Sequence, residues 1–530
     1  MAASHVPVEP HAGLPAIVAG LLDPAAYAHP TAPIRLIETH ISWVLLTGAF
    51  AYKVKKPVDL GFLDFTTLER RRHFCLEEVR LCGRFAPALY VGVVPIAGTP
   101  AAPRVGGAGE PIEWAVQLVE FGADCRLDRR LAAGLVGPQD CRRLAADLAA
   151  VHATLPVADP AGGRGTAAAV HAAASLNLDQ IVALRPAAAD LVAGLRAWLT
   201  ARLTSLHVAV EDRRRRGRVR ECHGDLHLAN IVLSDDRLQA FDALEFDPAL
   251  RWIDVANDIA FLTMDLRASG RPDLAAHVAS AWIEAADDHD AARLLPVYET
   301  YRAVVRAAVA TIRGHQADAA TAVAARAEAD VYLETARAAT AAPEPVLVAT
   351  SGVSGSGKTT VTDGLVGELG AVRLRSDVER KRLFGLPALA RPSDAAAWLY
   401  AAETTRAVYD RLATLAGLLL RGGTSVIVDA ACTARWQRDL LARVARQHGR
   451  RLVWLDFTVP ADVAMRRVAD RQAAGHDASD ASVEVVRAQL ASLEPITADE
   501  LSADVRRLEL PEHAGPGLAE RVRAGVAPTR

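Results

Sequence analysis

Eight consecutive residues, 352–359, match the phosphate-binding loop pattern G-x-x-x-x-G-K-[ST] at every fixed position. A β-branched apolar run, 346–350, precedes them, and a helix-like run that begins near Lys358 and passes through Val361 and Leu365 follows them. A strand, a glycine-rich loop and a helix in this order direct the loop amides and the positive end of the helix at one anion. The chain is therefore predicted to contain an α/β unit that binds a nucleoside triphosphate.

The remaining composition excludes several classes of protein. A length of 530 residues is too great for one hydrophobic core, so several domains are expected. The net charge of -3 provides no global field for nucleic acid or an anionic membrane. The six cysteines form no C-x-x-C pair, which argues against a disulfide framework and a zinc site. The sequence shows no signal peptide and no unbroken apolar run of about 18 residues, so we expect a cytoplasmic protein without a membrane segment.

A proline-punctuated step divides the chain into two parts. We predict an N-terminal domain over 1–340, a linker over 341–346 and a P-loop kinase domain over 346–515. In the second part, short apolar runs alternate with helical patterns, which is typical of a parallel α/β sheet. The predicted strands are 346–350, 371–375, 425–429 and 452–457.

The first part has a different order of elements. A helix is predicted over 67–85, among four strands of an antiparallel sheet. These strands are 41–47, 51–58, 90–96 and 114–121. A β-rich lobe (about 30–125) followed by a helical lobe (about 126–340) is the order of a bilobal, α+β protein-kinase-like fold. The predicted fold class is therefore this fold followed by an α/β P-loop NTPase domain.

The segment H-G-D-L-H-L-A-N places Asn230 five residues after Asp225, and Asp242 follows two short apolar runs. This is the spacing of a kinase catalytic loop followed by a metal-binding aspartate. A carboxylate at Asp225 can orient or accept the proton of a substrate hydroxyl. Asn230 and Asp242 offer the hard oxygen ligands that Mg²⁺ prefers.

These residues resemble the Brenner-type motif of aminoglycoside phosphotransferases and their choline-kinase-like relatives. Residues 46–94, with Y-K-V-K-K-P and L-D-F, resemble a bacterial branch in which this fold is fused to a P-loop kinase. The resemblance implies that Lys53 binds phosphate, with Lys55 as the second candidate on the same strand face, and that Glu78 is the ion-pair partner. Only Gly48 stands where the family has a glycine-rich loop. A pseudokinase that senses a ligand and regulates the C-terminal enzyme therefore stays open as an alternative.

In the P-loop domain, a further set of residues is predicted to bind the nucleotide. Lys358 would reach the β- and γ-phosphate oxygens, and Thr359 would bind Mg²⁺. Asp429, which ends an apolar run, matches the metal-holding carboxylate of such domains. The predicted cofactor-binding residues of the loop are Gly352, Ser354, Gly355, Ser356, Gly357, Lys358, Thr359 and Thr360.

Residues 376–380 resemble the S-D-x-x-R acceptor motif of gluconate-kinase-like, zeta-toxin-like and polynucleotide-kinase-like enzymes. The resemblance implies that Asp377 orients the acceptor hydroxyl and that Arg380 holds an anionic group. Arg467 and Arg471, four residues apart on a predicted helix, would belong to a lid that neutralises the transferred phosphoryl group. A helix N-cap for Asp377 and a solvated face for the arginines stay open as structural alternatives.

Together these patterns predict an ATP- and Mg²⁺-dependent kinase with two nucleotide sites, acting on a small molecule that bears a hydroxyl group. The second alternative is a 5′-hydroxyl polynucleotide kinase, which the near-neutral charge and the lack of a basic, aromatic-rich groove disfavour. Acceptor pockets and oligomeric state have no signature in this sequence.

Overall fold

The computed structural model describes residues 13–61, 63–341, 344–388, 390, 399–474, 481–510 and 517–524, with the backbone alone for 471–474. The chain forms two compact units. The first comprises Met1–Ala268 with Val297–Arg337, and the second comprises Ser269–Pro296 with Ala338–Arg530. The segment Ser269–Pro296 was expected within the N-terminal domain, and it lies with the P-loop unit instead.

The first unit contains a six-stranded antiparallel sheet in the order β1-β2-β3-β6-β4-β5. Its strands are β1 (Arg35–Glu38), β2 (Ser42–Leu46), β3 (Phe50–Lys55), β4 (Tyr90–Thr99), β5 (Ala102–Val105) and β6 (Glu113–Val119). Helix α2 (Leu68–Cys82) follows the short helix α1 (Ala16–Gly20) and packs on this sheet through buried residues that include Cys75 and Leu81. Because β3 is central, the side chain of Lys53 faces α2 from a fixed strand.

After the six-stranded sheet, the first unit consists of helices and two small antiparallel strand pairs. The strands of these pairs lie on either side of the predicted catalytic loop in the sequence: β7 (Val219–Glu221) pairs with β10 (Trp252–Asp254), and β8 (Ile231–Ser234) pairs with β9 (Arg237–Ala240). The helices are α3 (Leu127–Ala132), α4 (Pro138–Thr154), α5 (Ala167–Leu184), α6 (Ala189–Ser205), α7 (His207–Arg215), α8 (Pro248–Arg251), α9 (Val255–Ala268), α11 (Leu295–Gln316) and α12 (Ala319–Thr340).

Among the described residues, α5 is one helix that could cross a membrane by length and composition alone. Alanine supplies most of its apolar residues, and Asn177, Asp179 and Gln180 interrupt them. Asp179 also accepts a 2.6 Å hydrogen bond from Arg196 of the neighbouring helix α6. A helix on the surface of a soluble domain has the same properties, so the expected absence of a membrane segment stays a prediction.

The second unit is built on a five-stranded, fully parallel sheet in the order β12-β13-β11-β14-β15. Its strands are β11 (Leu347–Ser351), β12 (Val372–Arg375), β13 (Val426–Asp429), β14 (Leu452–Phe457) and β15 (Val505–Leu510). The helices are α10 (Pro272–Ala286), α13 (Lys358–Leu369), α14 (Ser376–Arg382), α15 (Ala402–Arg421), α16 (Arg435–Gln447), α17 (Ala461–Ala474), α18 (Val483–Ala491) and α19 (Leu518–Ala524).

The core of this unit shows why α10 belongs to it. Buried Val348, Ile427 and Leu455 of the sheet form one cluster with Val366 of α13 and Ala276 of α10. Removing α10 would expose this apolar surface to water. The two sheets together confirm the predicted fold class: an antiparallel, kinase-like lobe with helices, and a parallel P-loop domain.

Candidate active sites

The phosphate-binding loop lies between β11 and α13, as its pattern predicts. Gly352 and Gly357 have φ angles of 139° and 95°, which other residues rarely adopt. A Cβ atom at Gly352 would lie 2.7 Å from the carbonyl oxygen of Phe457, and one at Gly355 would lie 2.4 Å from that of Ala464. Glycine is therefore required by the backbone here, and the loop places its amides before the N-terminus of a helix, which favours an anion.

Among the described residues, the side chains of Lys358 and Gln489 form hydrogen bonds with main-chain atoms of this loop. The ammonium group of Lys358 donates hydrogen bonds to the carbonyl oxygens of Gly352, at 2.9 Å, and Val353, at 2.7 Å. On the other side, the amide of Ser354 donates a 2.7 Å hydrogen bond to Oε1 of Gln489 on α18. Gln489 was not predicted, because a lone glutamine on a helix has no motif around it.

A cavity of about 510 Å³ opens at the carboxyl edge of the parallel sheet, beside the loop. Parallel sheets bind their ligands at this edge. Most of the predicted residues of the second unit line the cavity: Ser354, Gly355, Gly357, Lys358, Thr359, Thr360, Asp377, Arg380, Asp429 and Arg467. The side chain of Arg471 lies outside the described residues. Arg375, Tyr400 and Gln489 also line the cavity, and none of the three was predicted.

Asp377 and Arg380 lie on α14, which begins at the end of β12. Asp377 belongs to the first turn of the helix, whereas the N-cap residue is Arg375, so the helix-cap alternative is not observed. The buried Arg380 donates a 2.7 Å hydrogen bond to the carbonyl oxygen of Leu399, and its guanidinium lies 4.8 Å from the ring centre of Tyr400. These contacts fix the arginine at the wall of the cavity.

Asp429 ends β13, where the carboxylate accepts a 3.2 Å hydrogen bond from Thr362 of α13. Thr359 lies one turn earlier on the same helix and lines the same cavity. A hydroxyl and a carboxylate are hard oxygen donors of the kind that Mg²⁺ takes in nucleotide sites. The donor set therefore fits the predicted metal.

Helix α10 also contributes to this site. Glu284 accepts a 2.8 Å hydrogen bond from Nε of Arg375, whose side chain lines the cavity. Ser280 accepts a 3.0 Å hydrogen bond from the amide of Arg373 in β12. Residues far away in the sequence thus hold one wall of the P-loop cavity.

Another cluster in the second unit has the spacing of metal ligands. Potential ligand atoms of Asp287, His289 and Glu379 lie within 4.8 Å of one another. However, Arg411 lies 2.7 Å from Asp287 and also pairs with Glu379, and Arg382 pairs with Glu379 as well. Two arginines already neutralise these carboxylates, so the cluster is better explained as an ion-pair network than as a metal site.

In the first unit, the predicted lysine lies among carboxylates. Nζ of Lys53 is 2.9 Å from Oε1 of Glu78 on α2, and it also forms an ion pair with Asp242. The neighbouring Lys55 is fully buried, lies 2.8 Å from Oε2 of Glu78 and pairs with Glu245. Glu78 thus bridges both candidate lysines. Glu245 was missed, although it follows Asp242 by three residues.

The pKa directions reflect these contacts. Burial alone would lower the pKa of Lys53, but the charges of Asp242, Glu78 and Glu245 raise it well above its ordinary value. Burial raises the pKa of Glu245, and the nearby charge of Glu78 adds to this effect against the opposing charge of Lys55. Lys53 is therefore firmly cationic, as a phosphate-binding lysine must be.

The structure brings the catalytic-loop residues together. The side-chain amide of Asn230 donates a 3.1 Å hydrogen bond to Oδ2 of Asp225, and Nε2 of His227 lies 3.3 Å from the same oxygen. Asp242 follows β9 with a left-handed φ of 62°, and its amide donates to the hydroxyl of Tyr90 at 3.1 Å. The structure thus joins Asn230 to Asp225 and places Asp242 just after β9, and the catalytic and metal-binding roles of all three stay predictions.

Two buried carboxylates on α9 hold the loop in place. Asp258 accepts hydrogen bonds from the amides of His223, at 3.1 Å, and Gly224, at 2.9 Å. Asp265 accepts a 3.0 Å hydrogen bond from the amide of Leu228. Both were missed. The available signal was an acidic residue at an otherwise apolar, buried helix position, because such a charge needs a partner.

Comparisons with known proteins support the architecture of the second unit. A family model described as an AAA domain matches residues 347–496, which confirms the predicted P-loop NTPase domain. Over 472 residues the chain is 30% identical to the "Uncharacterized protein Rv2004c" of Mycobacterium tuberculosis, covering 88% of this chain and 92% of that protein. The chain belongs to the family of this mycobacterial protein. The match extends over both units of this chain.

Solved structures are similar to each part. A sugar kinase from Janibacter sp. HTCC2649 is 24% identical, covering 35% of this chain and 96% of its own, with a TM-score of 0.26. A choline/ethanolamine kinase family protein from Mesorhizobium loti is 13% identical, covering 59% of this chain and 94% of its own, with a TM-score of 0.34.

Proposed function

We propose that this protein is an ATP-dependent small-molecule kinase in which each unit transfers the γ-phosphoryl group of Mg·ATP to a hydroxyl group. The observation that carries the proposal is the cavity of about 510 Å³ in the second unit. It gathers a phosphate-binding loop, Lys358, the oxygen pair of Thr359 and Asp429, and the acidic Asp377 around one space. Phosphoryl transfer needs such positioning and electrostatic stabilisation more than covalent chemistry.

In the second unit, the loop amides and Lys358 bind the β- and γ-phosphates. Thr359 and Asp429 hold Mg²⁺, which when bound neutralises charge on the phosphate oxygens. Asp377 orients the acceptor hydroxyl, and Arg380, Arg467 and Arg471 neutralise negative charge on the acceptor or the transferred group. Apart from Arg471, these residues line the cavity at the carboxyl edge of the sheet, which supports their assignment.

In the first unit, Lys53 binds phosphate and Glu78 keeps it in position. Asn230 and Asp242 hold the metal, and Asp225 accepts or orients the hydroxyl proton. The contacts of Lys53 with Glu78 and of Asn230 with Asp225 support this half of the proposal.

A regulatory first unit is the second candidate, and one contact favours it. Lys53 forms an ion pair with Asp242, the carboxylate that a metal ion would need. A pseudokinase of this kind would sense a ligand without transferring phosphate. Titrating Mg·ATP against Lys358→Ala protein separates the two candidates, because a second active site predicts residual binding that Asp242→Ala removes.

The test is a screen of hydroxyl-bearing metabolites, and of a 5′-hydroxyl oligonucleotide, for ADP release. The full-length chain is required, because α10 lies in the second unit. Lys358→Ala should lower turnover of one group of acceptors by roughly 100- to 1,000-fold, the usual loss for a group that stabilises transition-state charge. Asp225→Asn should lower turnover of a different group of acceptors.

Arg443→Ala, an exposed change on α16, is the matched control and should leave both activities unchanged. Unchanged turnover in Lys358→Ala protein would contradict the proposal for the second unit. If Asp225→Asn leaves the turnover of every acceptor unchanged, the proposal for the first unit is contradicted. That result would support a regulatory role for the first unit.

A further inference from the structure

Two buried arginines on α11, in the first unit, each have hydrogen-bond donors for which the described residues supply no acceptor. Arg302 is 3% exposed and Arg306 is 9% exposed, and they lie one helical turn apart on the same face. Within the described part of the chain, Nη2 of Arg302 and both Nε and Nη1 of Arg306 have no hydrogen-bond partner. Buried donors are almost always paired, because an unpaired one loses its hydration without compensation. A ligand that supplies acceptor atoms would explain them.

One chain of contacts connects Arg306 to the catalytic loop. Its guanidinium lies 5.0 Å from the ring centre of Tyr332. The hydroxyl of Tyr332 donates a 2.8 Å hydrogen bond to Oδ1 of Asp265, whose Oδ2 accepts from the amide of Leu228. Leu228 follows Asp225 by three residues in the loop.

A second, separate chain of contacts connects Arg302 to Asp225 itself. The guanidinium of Arg302 lies 4.8 Å from the ring centre of Phe261, and that ring packs 5.7 Å from the ring of His227. His227 lies 3.3 Å from the carboxylate of Asp225. Each arginine of this helix is therefore connected to the predicted catalytic loop through packed side chains.

Electrostatics agree with this placement. Burial lowers the pKa of Arg306, but Tyr332, Asp265 and Asp225 raise it above its ordinary value, so the group stays charged. The nearest carboxylate, Glu328, accepts a 3.3 Å hydrogen bond from Nη2 of Arg306 and also pairs with Arg313. One carboxylate thus serves two guanidinium groups, and Arg306 keeps donors for another anion.

We infer that Arg302 and Arg306 form an anion subsite beside Asp225, so that the acceptor of the first unit carries a carboxylate or phosphate group in addition to its hydroxyl. The inference rests on the proposed phosphotransferase function of this unit. A guanidinium group presents a planar fork of donors that matches both anions. A cationic acceptor, such as choline or an aminoglycoside, would be repelled by the two arginines.

The group transfer is that of the proposed reaction. The acceptor oxygen forms a bond to the γ-phosphorus, the bond from that phosphorus to the bridging oxygen of ADP breaks, and the hydroxyl proton passes to Asp225. The anion subsite takes no part in these bonds. It orients the acceptor so that the hydroxyl faces Asp225.

The test uses sets of acceptors that share hydroxyl groups and differ in charge. One set is glycerate, glycerol 3-phosphate, glycerol and ethanolamine, and another is gluconate, glucose and glucosamine. Phosphorylated product is measured with full-length Lys358→Ala protein, and Asp225→Asn on the same background provides the blank. The anionic members should have at least about tenfold higher kcat/KM than their neutral and cationic counterparts, as expected for charge-assisted hydrogen bonds.

Arg306→Gln should raise the KM for anionic acceptors by roughly 10- to 100-fold, leaving the KM for ATP unchanged. Arg306→Lys, which keeps the charge and loses the fork, should have a smaller effect and provides the test if Arg306→Gln does not fold. Arg313→Gln is the matched control: it lies two turns along the same helix and shares Glu328, and it should keep the anion preference.

A preference for neutral or cationic members would overturn the inference, as would an equal effect of Arg306→Gln on anionic and neutral acceptors. No response to any anionic member, with Mg·ATP binding intact in the Lys358→Ala protein, would overturn it too. Loss of Mg·ATP binding in that protein would instead defeat the proposed function of the first unit, and this inference with it.

Discussion

The two candidate sites hold their lysines in different ways. In the first unit, Lys53 and Lys55 are paired with the carboxylates of Glu78, Asp242 and Glu245. In the second unit, the ammonium group of Lys358 bonds to main-chain carbonyl oxygens of its own loop. A carboxylate carries a full negative charge, whereas a carbonyl oxygen carries only a partial one.

The difference has a consequence for ligand binding. A phosphate that approaches Lys358 replaces its hydrogen bonds to the carbonyl oxygens of Gly352 and Val353, which are weak dipolar partners. A phosphate that approaches Lys53 competes with Asp242 for the ammonium group. This exchange is favourable only if a metal ion binds the carboxylate of Asp242 in place of the lysine. We therefore expect the first site to depend more strongly on Mg²⁺ and to contribute more to the stability of its unit.

The largest expected effect is on stability in the first unit. Lys55→Met removes a fully buried cation and leaves Glu78 and Glu245 close together without it. Breaking a buried ion pair by removing one partner costs about 3–5 kcal/mol. The free energy of unfolding, measured by urea titration, should fall by this amount, and peptides from β3 and α2 should lose hydrogen-exchange protection.

The adjacent Lys56 provides the matched control, because its pair with Glu38 lies partly exposed at the surface. Lys56→Met should cost less than about 1 kcal/mol. Adding Glu245→Gln to Lys55→Met should restore part of the lost stability by removing the unpaired charge. Equal losses for the two lysine variants would show that the buried network is no more important than a surface pair.

The next largest expected effect is a pH dependence of stability that arises from Glu221, which lies just before the predicted catalytic loop. Burial alone would raise the pKa of Glu221, but hydrogen bonds from Arg80, Arg84 and Arg251 lower it to about 2. Because the folded value lies below the ordinary one, the ionised carboxylate stabilises the fold fully above about pH 4.5. This contribution declines as the pH falls further and is lost near pH 2.

Glu221→Gln should therefore lower the free energy of unfolding by about 1–3 kcal/mol at neutral pH, and the difference from wild type should shrink below about pH 4.5. Urea titrations from pH 7 to pH 3 measure it. Glu334→Gln, which changes an exposed pair with Arg337, is the control and should have little effect at any pH. A difference that stays constant down to pH 3 would rule out this linkage.

Local chemistry explains which features the sequence predicted. The loop of residues 352–359 was predictable because its two fixed glycines, Gly352 and Gly357, have backbone angles that other residues rarely adopt. The contact between Asp225 and Asn230 was predictable from spacing, because one short loop contains both residues, whereas their roles and that of Asp242 stay predictions. Strand β15 was missed because its alternation of valine, arginine and leucine is as consistent with a surface helix.

Long-range contacts explain what could not be predicted. Helix α10 has the composition expected in a helical lobe, yet its Ser280 meets Arg373, 93 residues later in the sequence. Asp258 and Asp265 stabilise loop amides that no motif connects with them. In each case the decisive partner is a backbone group or a distant side chain, which residue types alone do not reveal.

The smallest expected effect tests whether a carboxylate also positions a cation in the second unit. Glu284→Gln keeps the size of the side chain and removes the charge that holds Arg375 at the cavity wall. Loss of one charge-assisted hydrogen bond should lower kcat/KM for the second-unit reaction about tenfold, mainly through the KM of the acceptor. Asp410→Asn, which changes an exposed pair with Arg406 on α15, is the control and should leave kcat/KM unchanged. If Glu284→Gln protein is folded and fully active, the second site does not depend on this carboxylate, and the contrast with the first site becomes sharper. If kcat/KM falls tenfold as expected, both sites depend on a carboxylate that fixes a cation. The two sites then differ only in how they hold their lysines.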